Sequence, residues 1–388
     1  MGRIILFTGK GGTGKTSVAA AHAVRSAGEG RPTLLVSADM AHNLGDLFQL
    51  ETGGEVVRAG DNLFLLELDP YRLMRREFPH AVRALSDLLA GPDLSARPVP
   101  LPGFDTLFSL LMIGKIYQEG AYERILVDCA PTGETLSLLK FPELLSWYME
   151  KFFPVGKVIT RVLAPAAQAK YRVKLPERKA MNEIERLHGE LTALQELLRD
   201  DSVCTVRLVC TPERMAVEET KRAFTRLHLY GYRTDGLYIN RLLPEISENP
   251  FLSHWRELQQ RHVRELEEVF AGHPIVRLPW YPQEVRGYAA AERMGGELPE
   301  DGLFDVRVRT ETEVYTPIDG GFRLCLRLPE ASGDVKAVCQ GMDLYIEAGG
   351  AVRRIPLPDS LKGARVSAAV LEDGTLYIDL KQRKDGGQ

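Results

Sequence analysis

Residues 9–16 read Gly-Lys-Gly-Gly-Thr-Gly-Lys-Thr and follow a short apolar run, Ile4–Phe7. The stretch fits the pattern G-x-x-x-x-G-K-[ST], in which glycines let backbone N–H groups turn toward phosphate oxygens and the next helix presents its positive N-terminus. The pattern predicts that Lys15 reaches the β- and γ-phosphates of a nucleotide and that the Thr16 hydroxyl ligates Mg²⁺. A glycine-rich connector without a ligand is the alternative.

The loop supplies most of the predicted nucleotide contacts. Its second lysine, Lys10, adds a cation beside Lys15, but spacing alone does not define where its side chain points, and a solvated lysine is the simpler interpretation. The predicted contacts in this stretch are Gly9, Lys10, Gly11, Gly12, Thr13, Gly14, Lys15, Thr16 and Ser17.

Short apolar runs alternate with helical patterns over the first 296 residues or so. Continuous apolar runs of this kind are typical of strands in a parallel sheet that is covered on both faces. One helix is predicted from the i, i+3, i+4 spacing of leucines around Leu191, and another from Thr211 as N-cap with Pro212 at the first helical position. The predicted strands are Ile4–Phe7, Leu34–Val36, Leu63–Leu68, Ile125–Val127, Val206–Val209, Leu237–Ile239 and Ile275–Leu278.

The pattern changes after a polar, glycine-containing stretch near residue 300. Short segments that alternate apolar and polar residues follow, and Asp373-Gly374 is a hairpin turn signal. We therefore predict an α/β P-loop NTPase domain over residues 1–300 with a helical insertion at about 140–200, followed by a small all-β sandwich over residues 312–381. Residues after Lys381 are charged or glycine and predict a frayed tail.

Composition excludes several classes of protein. The chain has 388 residues, 44% of them hydrophobic, which is typical of a globular protein and argues against disorder. Lys and Arg number 49 against 53 Asp and Glu, so the basic excess of a nucleic-acid-binding protein is missing and no nucleic-acid partner is expected. Five cysteines without a C-x-x-C pair indicate free thiols in a reducing compartment. No apolar stretch is long enough for a membrane helix, and we expect a cytoplasmic protein with no integral membrane segment.

The K-G-G-x-G-K-[ST] form of the loop resembles the deviant phosphate loop of the class that includes MinD, the nitrogenase iron protein and ArsA. Further blocks resemble the ArsA family and the related ATPase that delivers tail-anchored membrane proteins. They are SADMAHNLGD at 37–46, DCAPTGET at 128–135, VCTPE at 209–213 with Glu219-Thr220, and Asn240 followed by Pro279 and EVRG at 284–287. The resemblance implies a homodimer in which Lys10 reaches the partner's ATP.

The resemblance also implies roles for single residues. Asp39 matches the carboxylate that orients and deprotonates the attacking water, and Asp128 matches the one that holds Mg²⁺ through water. Either aspartate could instead only cap a turn. Asn240 and Pro279 match positions that line the adenine, although a structural role is the more usual one for a lone Asn or Pro. The predicted catalytic residues are Asp39, Lys10 and Lys15, and the predicted metal ligands are Thr16 and Asp128.

This sequence departs from the family pattern at several places. Met40 replaces a proline, Cys129 a threonine and Glu134 a histidine. Met40 leaves the backbone of the block at 37–46 less restricted in φ. The changes at Cys129 and Glu134 alter the block at 128–135, the family's second switch, and make its coupling to the nucleotide differ from the family pattern. The absence of C-x-x-C leaves no zinc clasp at the dimer interface, so no zinc is expected.

The insertion is rich in large apolar residues. In the family this region lines a groove for a hydrophobic client segment, whereas an apolar helix is as often core or dimer contact. Its methionines, Met149 and Met181, are too few to indicate a plastic groove. The apolar residues are Leu144, Leu145, Trp147, Tyr148, Phe152, Phe153, Val155, Val158, Ile159, Val162 and Leu163.

The C-terminal segment resembles the end of an α-crystallin, or small heat-shock protein, domain. The resemblance rests on VRRIPLP at 352–358 and AVLEDGTLYI at 369–378. It implies a β-sandwich whose edges bind partners, and a generic sandwich added for stability is the alternative.

Three functions compete. The first is a dimeric ATPase switch that binds a hydrophobic protein client, as a targeting factor or chaperone. The second is the catalytic subunit of an arsenite efflux pump, although such subunits join two ATPase halves and use clustered cysteines. The third is a nucleotide-dependent scaffold without turnover, which would not need Asp39.

Overall fold

The computed structural model describes residues 2–39, 43–80, 104–133, 178–244, 249–306, 308, 313–328, 335–361 and 363–381. Its N-terminal part is built on an eight-stranded sheet whose strands, in chain order, are β1 (Arg3–Thr8), β2 (Thr33–Ser37), β3 (Val57–Gly60), β4 (Leu63–Glu67), β5 (Arg124–Asp128), β6 (Cys204–Cys210), β7 (Thr234–Leu242) and β8 (Ile275–Pro279). Their spatial order is β3-β4-β2-β5-β1-β6-β7-β8. All neighbours are parallel except β3, which runs antiparallel to β4. The predicted, mainly parallel α/β sheet is confirmed.

The sheet is buried on both faces. Successive side chains of β1 point to opposite faces, so Ile4 and Leu6 belong to one hydrophobic cluster and Ile5 and Phe7 to the other. Strand β6 is buried at all its positions. Burial from both sides is the physical reason why these strands read as continuous apolar runs in the sequence.

Eight helices of the described residues connect or cover the strands. They are α1 (Lys15–Gly28), α2 (Asn43–Phe48), α3 (Pro70–Glu77), α4 (Phe104–Glu119), α5 (Arg178–Arg199), α6 (Arg214–Leu229), α7 (Pro250–Val269) and α8 (Tyr288–Gly295). No helix in these ranges is long and apolar enough to cross a membrane.

The predicted start of α6 is wrong by two residues. Glu213, not Thr211, is the N-cap, and its backbone is extended with φ of −116°. Pro212 instead belongs to a tight turn in which the N–H of Glu213 donates to the carbonyl of Thr211 at 2.7 Å. A proline just before a helix is compatible with both arrangements, and the turn places it outside the helix here.

The C-terminal part consists of two antiparallel sheets. Their strands, in chain order, are β9 (Glu313–Ile318), β10 (Gly321–Arg327), β11 (Lys336–Gln340), β12 (Asp343–Ala348), β13 (Ala351–Pro356), β14 (Arg365–Glu372) and β15 (Thr375–Lys381). One sheet has the order β14-β15-β10-β9 and the other β11-β12-β13. Asp373 and Gly374 both have positive φ, as the two-residue turn between the last two strands requires. The predicted all-β region is confirmed. A 3-10 turn lies between β13 and β14 at Asp359–Leu361.

The two parts share one core. A single cluster of buried apolar residues includes Phe224 and Leu227 of α6 together with Leu324 and Leu326 of β10. At the end of α6, the Tyr230 hydroxyl donates to the backbone carbonyl of Val352 in β13 at 3.3 Å. One open edge of the smaller sheet therefore lies against the end of α6.

Several predictions fall outside the described residues. They concern Met40, Glu134, the tail after Lys381 and most of the helical insertion, including all the apolar residues named from Leu144 to Leu163. Within the predicted insertion the structure describes only α5 and its neighbour Asp200.

Candidate nucleotide site

The loop between β1 and α1 is held in place by close backbone packing. A Cβ atom on Gly9 would lie 2.0 Å from the carbonyl oxygen of Val209 in β6. Gly14 has φ of +90°, and a Cβ there would lie 2.3 Å from Nδ2 of Asn240. Within the loop, the Thr13 hydroxyl donates to the Lys10 carbonyl at 2.9 Å. Glycine is therefore required at both ends of the loop. At Gly9 there is no room for a side chain beside β6, and at Gly14 both the nearby Asn240 amide and the positive φ exclude one.

Lys15 and Thr16 start α1 beside the end of β5. Lys15 is buried, and the Thr16 hydroxyl donates to Oδ2 of Asp128 at 2.6 Å. Asp128 is the last residue of β5, the strand that pairs directly with β1. The loop, the start of the helix and one carboxylate thus meet at the carboxyl edge of the sheet, where ligands of α/β proteins bind.

Asp128 has the properties of a metal-binding carboxylate. It is 1% exposed, and its Oδ1 atom has no hydrogen-bond partner within the described part of the chain. The pKa of Asp128 is raised to about 6, chiefly by burial and also by the Asp39 charge, while the Thr16 hydrogen bond and the Lys15 charge act in the opposite direction. A buried, unpaired carboxylate oxygen next to a threonine hydroxyl suits Mg²⁺, which prefers hard oxygen ligands. The residues predicted as metal ligands fit that role.

Asp39 lies at the same edge, two residues after β2. In the register of the sheet, Ser37 pairs with Asp128, and the N–H of Ala38 donates to the Asp128 carbonyl at 2.9 Å. The Ser37 hydroxyl donates to the Asp39 carbonyl at 3.2 Å. Asp39 is half-buried and close enough to Asp128 to influence its pKa. The structure therefore brings both predicted carboxylates and both lysines to one edge of the sheet.

Asn240 contacts the loop rather than open space. Its buried amide donates to the Thr13 carbonyl at 2.9 Å, and its Oδ1 accepts from the N–H of Arg241 at 3.0 Å. Sequence reasoning missed this supporting contact, for which a lone asparagine gives no signal. Its contact with adenine stays a prediction.

Pro279 ends β8 with its side chain exposed, opposite Leu242 in the register. The following residue, Trp280, is 57% exposed. Pro279 therefore lies at the same carboxyl edge of the sheet, as an adenine contact requires, and its role also stays a prediction.

Lys10 is partly exposed within the loop. Its predicted reach across a dimer interface stays a prediction.

The segment after β5 connects the loop to α6. The N–H of Thr132 donates to the Gly9 carbonyl at 3.3 Å, and its side chain is hydrogen-bonded to the carboxylate of Glu219 on α6. Tyr230, the C-cap of the same helix, contacts β13. A shift of Thr132 would therefore be transmitted to α6 through Glu219.

Comparison with protein families agrees with these features. Residues 2–300 match the family described as anion-transporting ATPase, ArsA type. The chain belongs to the ArsA ATPase family. Residues 319–380 of this ArsA-family ATPase match the HSP20-like domain found in ArsA proteins. Both predicted resemblances are confirmed, and the protein is an ATP hydrolase of this family.

Two kinds of ATPase name occur among the relatives. A protein from Prosthecochloris vibrioformis named "Putative arsenical pump-driving ATPase" is 34% identical over 99% of this chain and 97% of its own length. A protein from Aquifex aeolicus with the same name, numbered 1, is 28% identical over 97% of this chain and 99% of its own length. "ATPase GET3" from Phaeosphaeria nodorum is 29% identical over 76% of this chain and 93% of its own length.

Proposed function

We propose that this ArsA-family ATPase is a homodimeric, Mg²⁺-dependent switch that binds and releases a hydrophobic protein client, as a targeting factor or chaperone does. The observation that carries the proposal is the meeting of Lys15, Thr16, Asp39 and Asp128 at one sheet edge, with Asp39 in the segment that joins β2 to α2. That arrangement supplies a phosphate cradle, oxygen ligands for a cation and a carboxylate at the same edge of the sheet.

The residues divide the work of hydrolysis. The backbone of the loop and the Lys15 ammonium bind and orient the phosphates of ATP. Thr16 and Asp128 would hold Mg²⁺, which when bound neutralises charge on the β- and γ-phosphate oxygens. Asp39 orients the attacking water and accepts its proton. Phosphoryl transfer of this kind depends mainly on positioning and on charge stabilisation, which these residues provide.

Substitution of Asp39 tests the catalytic part. Asp39→Asn keeps the size of the side chain and removes its basicity, so ATP binding should persist while kcat falls by roughly 10²- to 10⁴-fold. Asp46→Asn, at an exposed position on α2, makes the same change nearby and should leave kcat unaltered. Turnover by Asp39→Asn at the wild-type rate would remove Asp39 from the mechanism.

Sedimentation tests the dimer. With ATP and Mg²⁺ in a hydrolysis-deficient Asp39→Asn background, the protein should sediment as a dimer, and addition of Lys10→Ala should return it to the monomer. Lys336→Ala, at an exposed position of β11, is the control for loss of one positive charge. A dimer that persists without Lys10 would exclude its role across the interface.

The arsenite pump is the second candidate, supported by the names of two relatives that span nearly the whole chain. Arsenite binds to thiolates, and burial raises the pKa of the Cys210 thiol to about 12 and raises those of Cys129 and Cys204 as well. Over the described ranges, no three His, Cys, Asp or Glu side chains are grouped to hold a metal ion. These observations favour a protein client over a metalloid.

Client capture distinguishes the two candidates. A photoreactive group at position 152, within the predicted apolar insertion, should crosslink to an apolar helical segment in cells, and nucleotide should change the yield. ATPase activity that rises with arsenite, together with no crosslink, would favour the pump.

A further inference from the structure

A buried carboxylate outside the predicted set holds the helix that follows the Asp39 segment. Glu67 is the last residue of β4 and is 5% exposed. In the sheet register it pairs with Ser37 at the end of β2, two residues before Asp39. Its position is therefore beside the point where the chain leaves the sheet toward Asp39.

The Glu67 carboxylate accepts hydrogen bonds from two backbone N–H groups and one hydroxyl. Oε1 accepts from the backbone N–H groups of Leu44 and Gly45, each at 3.0 Å. Oε2 accepts from the hydroxyl of Thr52. Because a carboxylate that accepts from backbone N–H groups makes stronger bonds than a neutral acceptor, this cluster fixes the start of α2.

The packing around the cluster leaves little freedom. A Cβ atom on Gly45 would lie 2.8 Å from Oγ1 of Thr52 and 2.9 Å from the carbonyl oxygen of Leu50. At the other end of α2, the Leu47 carbonyl accepts from the N–H of Gly287 at 2.6 Å. The apolar residues Leu44, Leu47 and Phe48 of α2 are buried in the core. The helix is therefore anchored at both ends and along its buried face.

We propose that Glu67 is a positioning residue for hydrolysis, which acts through Asp39. The segment that contains Asp39 is anchored before it by the hydrogen bond of Ala38 to the Asp128 carbonyl, and after it by Glu67 through Leu44 and Gly45. Release of the second anchor would loosen Asp39 without altering the phosphate loop. The inference rests on the catalytic role proposed above for Asp39.

The kinetics of Glu67→Met test the inference. Methionine keeps the length of the side chain and removes both acceptor oxygens, so kcat should fall by about 10- to 100-fold, the loss expected from a displacement near 1 Å. KM for ATP should stay within about twofold, because uniform binding is untouched. Glu67→Gln keeps Oε1 as an acceptor and should restore kcat to within about threefold of wild type. Glu51 is exposed and lines a surface cavity that Thr52 and Glu67 also line, so Glu51→Met is the matched control.

A double variant separates positioning from simple stabilisation. If Glu67 acts through Asp39, Glu67→Met should not lower kcat further in an Asp39→Asn background, because effects within one unit are not additive. Equal losses in both backgrounds, or a parallel change in kcat and KM, would overturn the inference. Should Glu67→Met fail to fold, Thr52→Val removes one bond to the same carboxylate and should lower kcat by about threefold with KM unchanged; wild-type kcat in that variant would then overturn it.

The two proposals fail in different ways. Full activity of Asp39→Asn would refute the catalytic role of Asp39, and the inference about Glu67 with it. Loss of activity in Asp39→Asn with wild-type kcat in Glu67→Met would refute the inference about Glu67 alone.

Discussion

His228 provides a test of how the smaller sheets pack against the ATPase part. It lies in the last turn of α6, is 4% exposed and packs on Phe224 with ring centroids 4.5 Å apart. The pKa of His228 is lowered from its usual 6.5 to about 3, chiefly by burial and also by the neighbouring His273, Arg327 and Arg233. His228 is therefore neutral in the folded protein near neutral pH. Because Arg327 ends β10, His228 lies at the contact between the two parts.

The sign of the pH effect follows from proton binding. The unfolded chain binds a proton at His228 below about pH 6.5, and the folded chain does not until about pH 3. The free energy of unfolding should therefore fall by about 1.4 kcal/mol for each pH unit below 6.5. Between pH 6.5 and pH 5 the loss is about 2 kcal/mol. For a chain of this length, an unfolding entropy of about 0.8 kcal/mol/K converts that loss to roughly 2.5 °C in Tm.

His228→Leu removes the titrating group and keeps an apolar side chain against Phe224. We expect the Tm of the variant, measured by calorimetry between pH 7.5 and pH 5 without nucleotide, to fall by about 2.5 °C less than that of wild type. The pKa of His273 is also lowered by burial. Because His273 is present in both proteins, the difference between their pH profiles reports on His228. His254→Gln, at an exposed position on α7, should leave the slope unaltered. Identical pH profiles for wild type and His228→Leu would refute this reasoning.

Two further substitutions test the buried framework. Asp235→Asn leaves the guanidinium of Arg207, itself 1% exposed, without its charged partner. The free energy of unfolding, measured in urea, should fall by about 3–5 kcal/mol. Asp61→Asn, at an exposed ion pair, should not move the urea midpoint. Gly9→Ala would place a Cβ atom 2.0 Å from a carbonyl oxygen of β6 and should abolish binding of a fluorescent ATP analogue. Gly28 has open space around it, so Gly28→Ala should bind the analogue normally. Binding by Gly9→Ala would contradict the close packing of the loop.

The central strands were predictable because burial on both faces leaves a local signal. The run Ile4–Phe7 lies within β1, and Leu63–Leu68 covers β4. Strand β3 was missed because it is a short edge strand with little burial, so its residues show no apolar run. The start of α6 was misplaced because a proline before a helix does not define how far away the helix begins.

The candidate site was predictable where a motif fixes the spacing. The loop lies between β1 and α1 and brings Thr16 beside Asp128, because a phosphate-binding motif fixes the positions of its glycines and hydroxyl; the roles of these residues toward phosphate and metal stay predictions. Glu67 was not found, because a single glutamate at the end of an apolar strand has no distinguishing pattern. Its partners Leu44, Gly45 and Thr52 come from a different part of the chain, and only the fold brings them together.

The core shared by the two parts has a consequence for the order of synthesis. Helix α6 ends at Leu229 and packs against β10, and the last strand of the same sheet, β15, ends at Lys381. At translation rates of about 5–20 residues per second, the roughly 150 residues between them take on the order of 10–30 s to emerge. During that interval the side of α6 that packs against β10 lacks its complete sheet, while β6 and α7 can already cover its other side. A ribosome-bound chain of this protein should therefore depend on chaperones more than an ArsA ATPase that ends without the HSP20-like domain.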